Sequence, residues 1–321
     1  MALTKEACLF NLIVYAPEKE RIPRLLDIIQ AISKRFPSRL IFISLDESLQ
    51  EISIKDSGNS ISTPSSSLHK VPFYVMPHII PDLPITLLWG TDPTKDKTLL
   101  PYFQGFATRI IFDASIHDEW SAFGQRMIDH TTDKQQAMID ISWALISGWR
   151  DALARLFNDS TTMDALSYCK KIRILCHNSS DYAAGIYLLS WLSSRLHWSL
   201  SLSKHCEGVL EAHFNHDKGN LTALITEEPN SKDQEHGISS LEIITQDDDV
   251  YLMTHRPPHR TITTHVMHAD SCKLPITLPY TGINNSYLFS KELLHHHTGE
   301  HYQHMLKALL HFSKEKQHAP V

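Results

Sequence analysis

The sequence predicts an α/β N-terminal domain joined to an α+β C-terminal domain, and three features carry that expectation. Strand, helix and strand alternate with short joins over residues 8–45, which makes a βαβ unit and a parallel or mixed sheet. A long, mostly apolar helical pattern follows over about residues 133–157. Beyond residue 200 the pattern changes to short alternating runs separated by turn clusters, as in an antiparallel meander. A chain of 321 residues holds about two domains by the soft length prior. The polar, cap-like segment 158–162 divides them into residues 1–160 and 161–321.

The elements follow from residue spacing. Residues 8–16 are apolar and β-branched, a first buried strand. Ile22, Leu25, Leu26, Ile29 and Ile32 give helical spacing over 18–36, with Pro23 in the first turn, where proline is tolerated. Residues 40–45 form a second strand, and the polar run 56–67 reads as a surface loop. Residues 71–75 are a strand candidate. Residues 85–89 are a better one, entered through Pro81-Asp82-Leu83-Pro84. A short strand over 109–112 ends at Asp113, and a helix over 117–130 precedes the long one. On that long helix Ile139, Trp143, Ile146, Leu153 and Phe157 line one stripe, and Ile141, Leu145, Trp149, Ala152 and Leu156 another. Two apolar stripes describe a helix buried on most sides, so Arg150 beside Trp149 must find an anion or a set of carbonyls.

In the second domain, residues 172–176 read as a strand and 183–196 as an amphipathic helix. The meander comprises 209–214, 221–226, 240–245, 251–255 and 262–267, and helices over 287–296 and 300–312 close the chain.

Composition excludes several classes. A net charge of −6 leaves no basic field for nucleic acid or an anionic membrane. The N-terminal apolar run lacks a basic leader and is too short to span a bilayer, so a cytoplasmic protein is expected. Five scattered cysteines without a C-x-x-C pair suit a reducing compartment. The 11 glycines form neither G-x-G-x-x-G nor a P-loop, and no G-x-S-x-G occurs. The loop 177–181 between a strand and a helix reads as an N-cap.

Histidine is abundant, with 21 residues mostly after position 200. His255 and His259 enclose Arg256-Pro257-Pro258 and cannot share a helix face, His265 and His268 point to opposite faces of a strand, and 295–297 fall on a surface helix. No catalytic set, cofactor or metal site is expected.

What remains is arginine beside aromatic side chains: Trp89, Arg109, Trp149 with Arg150, and Trp191 with Arg195. Asp82 and Asp113 are the obvious internal partners of Arg109 or Arg150. Arginine forks also suit the carboxylates of a protein partner and the phosphate of a sugar phosphate or nucleotide. All eight residues are therefore candidates for partner or anion binding.

At these residues the chain resembles the glucose-6-phosphate dehydrogenase assembly protein family, OpcA. The resembling blocks run in order from the strand at 10–15 and Pro37-Ser38-Arg39-Leu40-Ile41 to Pro81-Asp82-Leu83-Pro84-Ile85 and Leu88-Trp89. They continue through 106–113, Asp140-Ile141-Ser142-Trp143, Gly148-Trp149-Arg150 and 188–196 to Lys291-Glu292-Leu293-Leu294, Tyr302 and Leu306. Leu88-Trp89 stands where the family pattern has paired tryptophans, and Thr108-Arg109 where it has paired arginines. The resemblance implies a non-catalytic factor that binds glucose-6-phosphate dehydrogenase and promotes its active oligomer, within carbohydrate metabolism. The competing readings are a sugar-phosphate or nucleotide sensor with Arg109 and Arg150 as an anion clamp and, more remotely, a metal enzyme using the C-terminal histidines.

Overall fold

The computed structural model describes residues 8–93, 95–113, 119–133, 137–178, 181–206, 208–228, 237–256, 259, 261–268, 270–280 and 299–312. These fold as two compact units, one from the described parts of Met1–Ile116 and His130–Ile141, the other from those of His117–Asp129, Ser142–Ile283 and Gly299–Val321. Residues 142–156 thus belong to the second unit, whereas the sequence suggested a first domain over 1–160.

In the first unit, β1 (Phe10–Ala16) is buried along its whole length, as its apolar run dictates. A 3-10 turn leads into α1 (Ile22–Ser33), which buries Leu25, Ile28, Ile29 and Ile32. Leu26, expected on the buried stripe, is largely exposed instead. Then come β2 (Ser38–Leu45), β3 (Ser53–Lys55), β4 (Ser60–Thr63), α2 (Val71–Val75), β5 (Ile85–Trp89), α3 (Leu99–Gln104), β6 (Arg109–Phe112), α4 (Trp120–Asp133) and β7 (Ala137–Asp140).

The sheet order is β3-β4-β2-β1-β5-β6-β7. All neighbours run parallel except β3, which is antiparallel to β4 on the edge. Without β3 this is the doubly wound 3-2-1-4-5-6 order, whose direction of progression reverses between β1 and β5.

Three expectations need correction here. The supposed loop 56–67 contains β4, because Ile61 and Thr63 alternate inward and pair with β2. Residues 71–75 are helical, started by Pro72 in the first turn. The long helix over 133–157 does not exist. Its first part is β7, parallel to β6, and the rest is two short helices, α5 (Ile141–Leu145) and α6 (Ser147–Leu156). Met138-Ile139 is a short apolar run whose periodicity fits either state, and pairing with β6 selects the strand.

The second unit continues with α7 (Ser160–Ser167), β8 (Cys169–Cys176), α8 (Tyr182–Leu196), β9 (Ser199–Cys206), β10 (Val209–His216) and β11 (Gly219–Glu227). It ends with β12 (Ile238–Thr245), β13 (Val250–His255), β14 (Thr261–His268), β15 (Ser271–Cys272), β16 (Ile276–Pro279) and α9 (Glu300–Leu309). Asp159 caps α7, accepting from the Thr162 backbone at 2.9 Å, as the cap-like segment implied.

Among the described residues the sheet runs β15-β14-β13-β12-β8-β11-β10-β9, with β16 beside β14. The expected runs are all strands, but the meander is interrupted: β8 lies at its centre, parallel to β11 and antiparallel to β12. Helix α8 is buried nearly all round. It rests on β11 through Gly185, where a Cβ would lie 2.9 Å from Ile225 Cγ2. The anticipated helix over 287–296, and His295 to His297, lie outside the described residues.

Candidate functional site

Open α/β sheets bind ligands at the carboxyl ends of their strands, beside the topological switch. In the first unit that crevice lies between β1 and β5. The turn after β1 reads Pro17-Glu18-Lys19-Glu20-Arg21 and holds no glycine. Its arginine, and Arg24 in the first turn of α1, are engaged by a carboxylate. Arg21 Nη2 and Arg24 Nε reach Asp113 Oδ2, just past β6, at 3.1 and 2.8 Å, and Asp113 is fully buried. The crevice floor is packed as well. A Cβ on Gly90 would lie 2.5 Å from Leu25 Cδ1 and 2.6 Å from the Tyr15 carbonyl.

The Trp89 ring lies 4.6 Å from that of Tyr15. Burial, reinforced by Asp96 and Glu18, pushes the Tyr15 phenol up to about 12. A dinucleotide needs glycines for close approach of its pyrophosphate and free N–H or cationic groups to meet it. The residues present do not fit one.

The structure separates the eight candidates. Asp113 and Trp89 are buried at the carboxyl ends of the first sheet. Arg109 opens β6 and Asp82 precedes β5, both toward the amino ends. Asp82 is exposed at φ 66°, a turn conformation that aspartate tolerates, and makes no ion pair among the described residues. The expected partners of Asp113 were Arg109 or Arg150; among the described residues its ion pairs are with Arg21 and Arg24. Spacing gave no hint of this, since 92 residues separate Arg21 from Asp113. The one available signal was two arginines in the first turn after the first strand.

In the second unit, Arg150 lies over the Trp143 ring at 3.5 Å and donates to the Trp143 carbonyl at 3.4 Å. Trp149 is buried against Tyr280, ring centroids 6.1 Å apart. Burial drives the Tyr280 phenol far above its ordinary range. Trp191 is half-buried on α8, whereas Arg195 is exposed near its end. Arg109 and Arg150, the supposed clamp, sit in different units.

The described residues contain no group of three or more histidine, cysteine or acidic side chains placed to hold a metal. His255 Nε2 is 3.1 Å from the His259 carbonyl, so the pair is tied by backbone rather than by two imidazoles. Burial raises the Cys169 thiol to about 12 and the Cys176 thiol further, which suppresses both thiolates. Native-state labelling with a thiol reagent at pH 8 should therefore modify the exposed Cys206 and Cys272 within minutes. Cys169 and Cys176 should react only on unfolding, as peptide mass mapping would record. Among the described residues, no helix is long and apolar enough to cross a membrane.

Fold and site together define a class: a two-unit chain with a dinucleotide-type sheet whose first turn lacks glycine and whose Arg21 and Arg24 are paired with Asp113. Sequence models described as the glucose-6-phosphate dehydrogenase subunit N-terminal and C-terminal domains match residues 29–127 and 136–306. The chain belongs to that glucose-6-phosphate dehydrogenase subunit family. No curated protein sequence matches.

Among solved structures, a 3-ketoreductase from Actinomadura kijaniata, determined with NADP and TDP-benzene, is similar at TM-score 0.57 and 10% identity over 94% of each chain. The transcriptional regulator Gal80p of Kluyveromyces lactis gives TM-score 0.53 at 7% identity, covering 95% of this chain and 90% of its own. An oxidoreductase domain protein from Kribbella flavida gives 0.52 at 7%, covering 94% and 91%. At such identities the likeness is one of fold alone.

Proposed function

We propose that this chain is a non-catalytic partner of glucose-6-phosphate dehydrogenase that binds the enzyme and favours its active oligomer. The observation that carries the reading is the match of both subunit domains along the chain. The chemistry of the crevice supports it. Where an oxidoreductase of this sheet order needs glycines and open cationic groups, this chain has Glu18, Leu25 and an arginine pair committed to Asp113. Such a factor acts by binding the competent oligomer better than other states, and it shifts the equilibrium only by that difference in affinity. Trp89, Asp113 and Trp149 are buried and serve as internal support, whereas Arg195 is exposed and free to meet a ligand.

Mixing the purified chain with the dehydrogenase, followed by light scattering and an activity assay, tests the proposal. The expected result is a stable mixed species, a larger oligomer and higher activity at limiting enzyme concentration. Unchanged oligomer size and activity at saturating chain would refute it.

A further inference from the structure

We propose that the cavity formed by the end of α8, strand β9 and helix α9 is a binding site for a phosphate-bearing small molecule. The cavity measures about 510 Å³, the size that accommodates a small metabolite rather than a bare ion. Arg195, His197, His304, Lys307 and His311 line it, beside Trp198. No carboxylate is among the lining residues; Glu300, one turn before His304 on α9, lies 3.8 Å from it and is largely exposed. Arg195 and Lys307 are the two cations of this lining, and the three imidazoles add ring nitrogens that can hydrogen-bond.

A cation near a helix C-terminus is ordinarily explained by the helix dipole, and Arg195 and Lys307 do lie in the last turns of α8 and α9. Two facts go beyond that explanation. The ends of both helices open into one concavity, so Arg195 and Lys307 border the same space. Neither Arg195 nor Lys307 has an ion pair or hydrogen bond among the described residues to absorb that charge. Secondly, His197 is held at φ 55°, ψ 36° at the C-cap of α8, a left-handed position that glycine would occupy without strain. The dipole does not require a β-carbon there, but a donor into the cavity does.

The remaining walls suit an organic phosphate. Among the described residues, strand β9 is the edge of its sheet and pairs with β10 alone, so alternate backbone amides along it face away from β10. Trp198 is buried and fixed by Phe214 and His216, with ring centroids at 6.2 and 6.4 Å, which gives the ligand's carbon skeleton a rigid apolar wall.

Titration calorimetry on the full chain alone, at low salt, tests the site independently of the dehydrogenase. Glucose 6-phosphate and inorganic phosphate are the anionic probes and glucose the neutral control. The sugar phosphate should bind at one site, more tightly than inorganic phosphate, and glucose should give no heat. Arg195→Gln with Lys307→Gln should weaken binding at least tenfold with only a small fall in melting temperature, both residues being exposed. His197→Gly should raise the melting temperature while weakening binding, a combination that a purely structural histidine would not produce. Absence of heat with both phosphates, affinity unchanged in these variants, or an aspartate-rich peptide binding where the phosphates do not would each overturn the proposal.

Discussion

Replacing Asp113 with alanine should destabilise the first unit by about 3–5 kcal/mol, the usual cost of removing one partner from a buried ion pair. The carboxylate is almost completely buried and takes Arg21 and Arg24 on a single oxygen, at 3.1 and 2.8 Å. Its removal leaves two guanidinium groups facing each other at the carboxyl ends of β1 and β6. The Arg21 pKa is already lowered by burial and by Arg24, with Asp113 acting in the opposite direction. Hydrogen exchange across β1, β5 and β6 in urea isolates this unit's stability from that of the second, which a single melting curve does not. Replacing all three members by leucine should recover much of the loss, because the charges then no longer need one another. A loss below about 1 kcal/mol in Asp113→Ala would mean that water screens the triad as it does a surface pair.

Trp149→Ala should cost a further unit of similar size, about 3–5 kcal/mol in the second unit, from lost burial and the cavity left behind. The indole is 1% exposed and braces Tyr280, whose ring lies 4.3 Å from that of His255. Trp149→Phe keeps most of the apolar area and removes an indole N–H that has no hydrogen-bond partner among the described residues, so it should cost much less than Trp149→Ala, about 1 kcal/mol. Urea melts followed by circular dichroism, with exchange rates in β13 and β16, give both values. The folded fraction of each variant should still bind the dehydrogenase with wild-type affinity, since a buried tryptophan offers no contact. Weakened binding in fully folded Trp149→Phe would instead assign the residue to the interface.

Much of the architecture is legible in the residue pattern. The apolar run of β1, the 3.6-residue stripe of α1 and the alternating strands from β10 to β14 each state their own conformation, because burial and backbone pairing are local there. The exclusions are legible too, since a missing glycine fingerprint is a property of the chain itself. The reading fails where partners lie far apart in sequence. Residues 137–140 carry no period that separates strand from helix, and only the edge of β6 decides between them. The carboxylate partner of Arg21 was unreadable for the same reason. Most of the two apolar stripes over 139–157 are buried as expected, but on a strand and two short helices rather than one long helix, and α8, read as amphipathic, is buried nearly all round.

By itself, then, the sequence determined an α/β chain with a second α+β unit, a family and the lack of a nucleotide fingerprint, all written in composition, period and local order. Only the tertiary structure decided the doubly wound strand order and the insertion of β8 into the meander. It likewise placed Asp113 against the arginines of the first turn, and gathered Arg195, His197 and Lys307 from two helices around one cavity. Strand order and charge pairing depend on which distant segments meet, and that is settled by burial and electrostatics summed over the folded unit, not by any short stretch of chain.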